Sequence, residues 1–129
     1  MILETSFIID FLRNESNSVS KMKELKDNYI SIQVTSPSIF ELWSGVTSLE
    51  HSESKIKKLS EFIQGQIILN LDAESAVRSG TIHGNLVKTG REIDVEDCMI
   101  AGIAMRNNIP VLAKDKHFKR IEGLIVEEY

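Results

Sequence analysis

The stretch MILETSFIID, residues 1–10, decides the fold class of this chain. Residues 1–3 form a short apolar run that is typical of a buried strand, and from Thr5 onward apolar residues recur at helical spacing. Glu4 stands at the junction of the two patterns. Because an acid at the end of a buried strand must be hydrated, paired or bound to metal, the stretch predicts a strand and a helix with a functional acid between them.

The same alternation of strand and helix patterns continues along the chain. Apolar or β-branched runs predict four further strands, at residues 29–35, 66–71, 109–112 and 124–126. Helical patterns predict helices over residues 18–27 and about 52–64, and three more that start at Ser36-Pro37 (Ser36 as N-cap, Pro37 as the first helical residue), at Asp72 and at Asp94. Gly90 is expected to end the helix that Asp72 begins. Helices between strands indicate βαβ units, so we predict an α/β fold with a mainly parallel sheet covered on both faces.

Length and composition indicate one ordinary globular domain, residues 1–129. The chain has no repeats or linker-like segments, and its hydrophobic content of 42% is enough for one buried core. A net charge of −4 argues against a generic basic nucleic-acid binder. It does not exclude a nucleic-acid enzyme, because an acidic metal site would itself contribute several negative charges. No apolar run approaches membrane-spanning length, and the lone Cys98 excludes a disulfide framework, so we expect a cytoplasmic protein without membrane contact.

Three further acids occupy positions comparable to that of Glu4. Glu41 lies in the first turns of the helix after the second predicted strand, Asp97 in the first turn of its own helix, and Asp115 just after the strand at 109–112. Ligands of parallel α/β proteins bind beyond the carboxyl ends of the strands. We therefore predict that the four acids converge at one edge of the sheet.

Each of these acids also has an ordinary structural interpretation. Ser38 and Glu41 have the spacing of a capping box, and Asp97 could simply be an acid favoured at a helix N-terminus. Asp115, between two lysines, could be a surface turn residue, and Thr5 could cap the first helix or hold a water or metal ligand. The hypothesis of a single site therefore rests on the joint placement of the four acids.

Electrostatics favours a cation at such a site. Two carboxylates ~5 Å apart repel each other by roughly 3 kcal/mol at an effective dielectric constant of ~20, so several acids together must gain protons or bind metal. Ligands that are all oxygen favour Mg²⁺ or Mn²⁺ over zinc. The three histidines have no metal-ligand spacing and are expected at the surface, and Cys98 is expected in the core: His51, His83, His117 and Cys98.

Four motifs, taken in order, resemble the PIN-domain family, particularly the VapC-type toxins of toxin–antitoxin pairs. They are ILETSFIID at residues 2–10, FEL at 40–42, DCMIA at 97–101 and DKHF at 115–118. The resemblance spans nearly the whole chain and departs from the family at Glu4, where the family has Asp, and at Ala113, where it often has Thr.

The resemblance implies a three-layer α/β/α sandwich that cleaves RNA with Mg²⁺ or Mn²⁺. Glu4, Asp97 and Asp115 would bind the metal, with no other cofactor, and Glu41 would complete the catalytic set of four acids. A small VapB-type antitoxin and a second copy of the chain, in a homodimer, are the expected partners. Glu4 is one methylene longer than Asp, which leaves three outcomes open: the backbone adjusts and restores the site, Mn²⁺ is preferred over Mg²⁺, or activity is impaired.

Two alternatives remain open from the sequence. One is a catalytically silent PIN domain that only binds RNA or an antitoxin. The other is a phospho-acceptor receiver domain, which also gathers acids at strand ends but requires paired acids after its first strand, where this chain has only Glu4.

Overall fold

Five short parallel strands form the central sheet of the computed structural model, which describes residues 1–114 and 116–129. In the described residues the strands are Ile2–Leu3 (β1), Gln33–Thr35 (β2), Ile67–Leu69 (β3), Val111–Leu112 (β4) and Val126–Glu127 (β5). Their order is β3-β2-β1-β4-β5, and every neighbouring pair is parallel. The strand that precedes Glu4 is therefore the middle strand, with β2 on one side and β4 on the other.

Six α-helices cover the two faces of this sheet in the described part of the chain. They are Thr5–Leu12 (α1), Ser16–Asp27 (α2), Ser36–Thr47 (α3), Glu53–Gln64 (α4), Ala73–Lys88 (α5) and Val95–Asn107 (α6), and a short 3₁₀ helix spans Lys116–Arg120. The three-layer α/β/α sandwich is confirmed. Among these helices none has the length and apolar character needed to cross a membrane.

Alternation along the strands divides the core into two clusters. Ile2 and Val111 pack with α5 and α6 on one face, whereas Leu3 and Leu112 pack with α1 to α4 on the other. Residues on both faces of β1 and β4 are fully buried. This burial on two faces explains why these strands are continuous apolar runs in the sequence.

The helix starts agree with the sequence predictions in part. Asp72 caps α5 by accepting a hydrogen bond from Ser75 N at 2.8 Å, and Gly90 follows the helix end with a left-handed φ of 64°, as predicted. The prediction that Ser36 is the N-cap of α3 is wrong. Thr35 holds that position, because β2 continues to Thr35, whose Oγ1 accepts a hydrogen bond from Ser38 N.

Strand lengths were overestimated from the sequence. The second strand begins at Gln33 rather than at residue 29, because Tyr29 has a φ of 55° and a side chain that is 95% exposed. The left-handed conformation of Tyr29 is incompatible with a strand and closes the turn after α2. The short strands still suffice to bring several helix starts to one edge of the sheet.

Candidate active site

Glu4 lies at the carboxyl end of β1, as predicted, and is almost fully buried. The strand order, which the sequence left open, makes β1 the middle strand. The Glu4 backbone N–H donates to Leu112 O at 3.1 Å, which continues the pairing of β1 with β4. Its side chain is 4% exposed, and Oε1 accepts a hydrogen bond from Ser6 N at 2.8 Å. Glu4 is therefore the N-cap of α1, the role that the sequence gave to Thr5 as one of its alternatives.

Glu41 faces the start of α1 from the neighbouring helix. Its Oε1 accepts a hydrogen bond from Thr5 Oγ1 at 2.7 Å, a distance typical of a hydroxyl that donates to a carboxylate. The alternative of a capping box with Ser38 is wrong, because Ser38 lies inside α3 and Thr35 caps that helix. The Glu41 side chain therefore links the residues that follow β1 and β2, and it does not cap its own helix.

Electrostatics shows which other acids surround Glu41. Burial raises the pKa of Glu41, and the nearby carboxylates of Glu96, Glu4 and Asp94 raise it further, while the hydrogen bond from Thr5 lowers it. Within residues 1–114 and 116–129, no lysine or arginine forms an ion pair with Glu41, Asp94 or Glu96. The structure therefore brings Glu4 and Glu41 into one acidic region, together with the start of α6.

Asp94 and Glu96 belong to this region although the sequence did not identify either as a site residue. Asp94 was predicted to cap α6; it occupies the N-cap position, but its side chain makes no capping hydrogen bond. Glu96 lies in the first turn of the same helix and is half-buried. Three acids within four residues, Asp94, Glu96 and Asp97, were the signal that could have identified them.

Asp97 is the third residue of α6, and Asp115 lies outside the described residues. Asp97 is half-buried, and its charge, with that of Asp94, adds to the burial that raises the pKa of Cys98 to about 11. Cys98 is therefore a protonated core thiol at neutral pH, as predicted, and not a nucleophile.

The donor chemistry of the region fits a hard divalent cation. Among the described residues, no three His, Cys, Asp or Glu side chains form a group that could hold a metal ion, and of the three predicted ligands only Glu4 and Asp97 are described. The acids around Glu41 nevertheless offer only oxygen ligands, and the N-termini of α1 and α6 lie beside them. The partial positive charge at these helix N-termini stabilises the acidic side chains, and it would also stabilise a bound anion.

A parallel α/β/α sandwich with acids gathered at the carboxyl edge of its middle strands defines the class of this protein. The chain belongs to the PIN domain family, whose model matches residues 1–124. The family predicted from the four motifs is therefore confirmed, and the receiver-domain alternative loses its support.

Curated relatives and solved structures agree with this assignment. The chain is 26% identical over 129 residues to a tRNA(fMet)-specific endonuclease VapC of Shigella flexneri, covering 99% of this chain and 96% of the relative. It is also 26% identical to Ribonuclease VapC2 of Rickettsia felis, with the same coverage. A crystal structure of VapBC2 from Rickettsia felis, bound to a promoter DNA fragment, superposes with a TM-score of 0.89 at 25% identity and covers 99% of this chain and 97% of that chain.

Proposed function

We propose that this chain is a metal-dependent endoribonuclease and the toxin of a VapBC-type pair. The observation that carries the proposal is the gathering of Glu4, Glu41, Asp94 and Glu96 at the carboxyl edge of a PIN-type sheet without a described cationic partner for Glu41. The names of the relatives, which include ribonucleases and a tRNA endonuclease, support RNA as the substrate.

In this proposal Glu4, Asp97 and Asp115 hold Mg²⁺ or Mn²⁺, and Glu41 completes the acidic site. The ion would supply an activated water and neutralise charge on the phosphate oxygens. Thr5 fixes the Glu41 carboxylate through its hydrogen bond, and Ser6 N does the same for one oxygen of Glu4. The N-terminus of α6 would favour the negative phosphate near Asp97.

The solved relatives support one of the proposed partners. These relatives include VapBC toxin–antitoxin complexes, which support a VapB-type antitoxin as the partner of this chain. We further propose that the chain forms a homodimer and acts in the cytoplasm as one domain.

Metal addition tests the proposed site directly. A ligand at ten times its dissociation constant stabilises the folded state by about 1.4 kcal/mol, which for a chain of this size corresponds to a rise in melting temperature of about 5 °C. We expect such a rise with Mg²⁺ or Mn²⁺, measured by calorimetry against NaCl of equal ionic strength. RNA cleavage should require the same ions, and cleavage that continues in excess EDTA would contradict the proposal.

Shortening Glu4 tests whether its extra methylene limits activity. Because a misplacement of ~1 Å can cost on the order of 100-fold in rate, Glu4→Asp is expected to raise metal-dependent RNA cleavage by about 10- to 100-fold. Stability should change little, since Asp is also a favourable N-cap for α1.

Glu4→Gln is the matched control, because it keeps an acceptor for Ser6 N but removes the charge. It should bind metal less tightly than either acid. An inactive wild-type chain that Glu4→Asp activates would identify the present chain as the impaired form, in agreement with the silent-domain alternative. An unchanged or lower rate in Glu4→Asp would show that Glu4 is already well placed.

A further inference from the structure

Three buried hydroxyl groups connect the ends of β1 and β2 and lead to Glu41. Thr35 and Ser38 are fully buried, and Thr5 is 7% exposed. The oxygen atoms of Thr35 and Ser38 are 3.1 Å apart, those of Ser38 and Thr5 are also 3.1 Å apart, and Thr5 Oγ1 lies 2.7 Å from Glu41 Oε1. Four polar side chains from two strand–helix junctions thus form one continuous chain.

The direction of the hydrogen bonds follows from the number of protons. Each hydroxyl has a single proton to donate, and Thr35 Oγ1 already accepts a hydrogen bond from Ser38 N at 3.3 Å. If Thr35 donates to Ser38, Ser38 to Thr5, and Thr5 to Glu41, every proton has an acceptor. If Thr5 instead donates to Ser38, and Ser38 donates to Thr35, the Thr35 hydroxyl proton has no acceptor among the described residues. A buried donor without a partner costs about 1–3 kcal/mol.

We propose that Thr35, Ser38 and Thr5 act as positioning residues that hold the Glu41 carboxylate in the acidic site through this directed chain of hydrogen bonds. The role in catalysis rests on the proposed nuclease function; the positioning itself rests only on the contacts. Thr35 and Ser38 are fully buried, so both act through Thr5.

The chain of hydroxyls opposes a force that would otherwise displace Glu41. Its carboxylate is repelled by those of Glu4, Glu96 and Asp94, and rotation of its side chain toward solvent would relieve the repulsion. Hydrogen bonds in series strengthen one another, so the bond from Thr5 is stronger with Ser38 and Thr35 behind it. The carboxylate therefore stays at the ends of β1 and β2 before any cation arrives.

The deciding comparison is Thr5→Val against Thr5→Ser. Valine has nearly the shape of threonine but no hydroxyl, so RNA cleavage should fall by about 10- to 100-fold, and a crystal structure should show the Glu41 side chain away from residue 5. Serine keeps the hydroxyl, so its rate should lie within about twofold of the wild-type rate. Ser38→Ala should have a smaller effect in the same direction, because Thr5 can still donate to Glu41.

Thr81→Val is the matched control, because the Thr81 hydroxyl is exposed and donates to Val77 O in its own helix. It should leave both cleavage and the Glu41 position unchanged.

A Thr5→Val protein that cleaves at the wild-type rate, or whose Glu41 keeps its position, would overturn the proposal. If Thr5→Val does not fold, Ser38→Ala decides by the same two measurements. If no variant cleaves RNA, the nuclease function fails, while the position of Glu41 still decides the positioning role.

Discussion

Replacing Asp97 with Asn is expected to reduce RNA cleavage by at least about 100-fold and to remove the rise in melting temperature that Mg²⁺ or Mn²⁺ produces. Asp97 lies in the first turn of α6, beside the acids that surround Glu41, and is one of the three proposed metal ligands. Asn has the same shape but no charge, so it keeps the packing of α6 and weakens the attraction for a divalent cation. A displacement of ~1 Å in the reacting groups already costs on the order of 100-fold.

Glu61→Gln is the control for this substitution. It removes one negative charge from the exposed side of α4, where Glu61 lies 4.0 Å from Lys57, and should change neither cleavage nor the metal effect. Both measurements are needed for Asp97→Asn. Loss of cleavage with an unchanged metal effect would show that Asp97 acts on the substrate and is not a metal ligand, and unchanged cleavage would exclude Asp97 from the site.

The order of strands and helices along the chain was predictable because the apolar pattern that indicates each element is local. Strands buried on both faces appear as apolar runs in the sequence. The limits of α5 depend on local properties, namely the capping side chain of Asp72 and the left-handed backbone of Gly90. The N-cap of α3 was assigned one residue too late, because Thr35 and Ser36 are both suitable caps. Which of them leaves the extended conformation depends on pairing with β3, a contact that the sequence does not display.

The site was predictable only to the extent that topology brings its residues together. Glu4 and Glu41 follow neighbouring parallel strands, so their proximity follows from strand order. The positions of Glu96 and of the three hydroxyl groups could not be predicted in this way, because they depend on the packing of α3 and α6 and on side-chain conformations. A capping-box spacing at Ser38 and Glu41 was therefore misleading, because it describes a helix taken alone, whereas Glu41 bonds to another helix start.

Gly102 is the position where a single methyl group is expected to have the largest effect on stability. It lies in α6 where that helix meets α5, and a Cβ atom there would stand 2.0 Å from Ser79 Oγ, 2.6 Å from Ser75 O and 2.8 Å from Ser79 N. Two of these atoms belong to the backbone of α5, so the helices must separate. We expect Gly102→Ala to lower the free energy of unfolding by about 3 kcal/mol, and the melting temperature by on the order of 10 °C.

Gly80→Ala, in the exposed part of α5, provides the opposite control. Nothing lies within 4 Å of a Cβ atom at Gly80, so the substitution should stabilise the protein by about 0.5–1 kcal/mol through helix propensity alone. Equal effects of the two substitutions in chemical denaturation would show that α5 and α6 are less tightly packed than the structure indicates.

Combining Gly102→Ala with Ser79→Ala identifies the contact responsible. Removing the Ser79 hydroxyl eliminates the shortest contact but also its hydrogen bond to Ser75 O, and it leaves the contacts of 2.6 and 2.8 Å to the backbone. We therefore expect the double variant to recover less than half of the lost stability.

Because α6 begins with Asp94, Glu96 and Asp97, any shift of this helix also moves the acids, so cleavage should fall in Gly102→Ala even below its unfolding temperature. Full recovery of both properties in the double variant would assign the close approach to the hydroxyl alone.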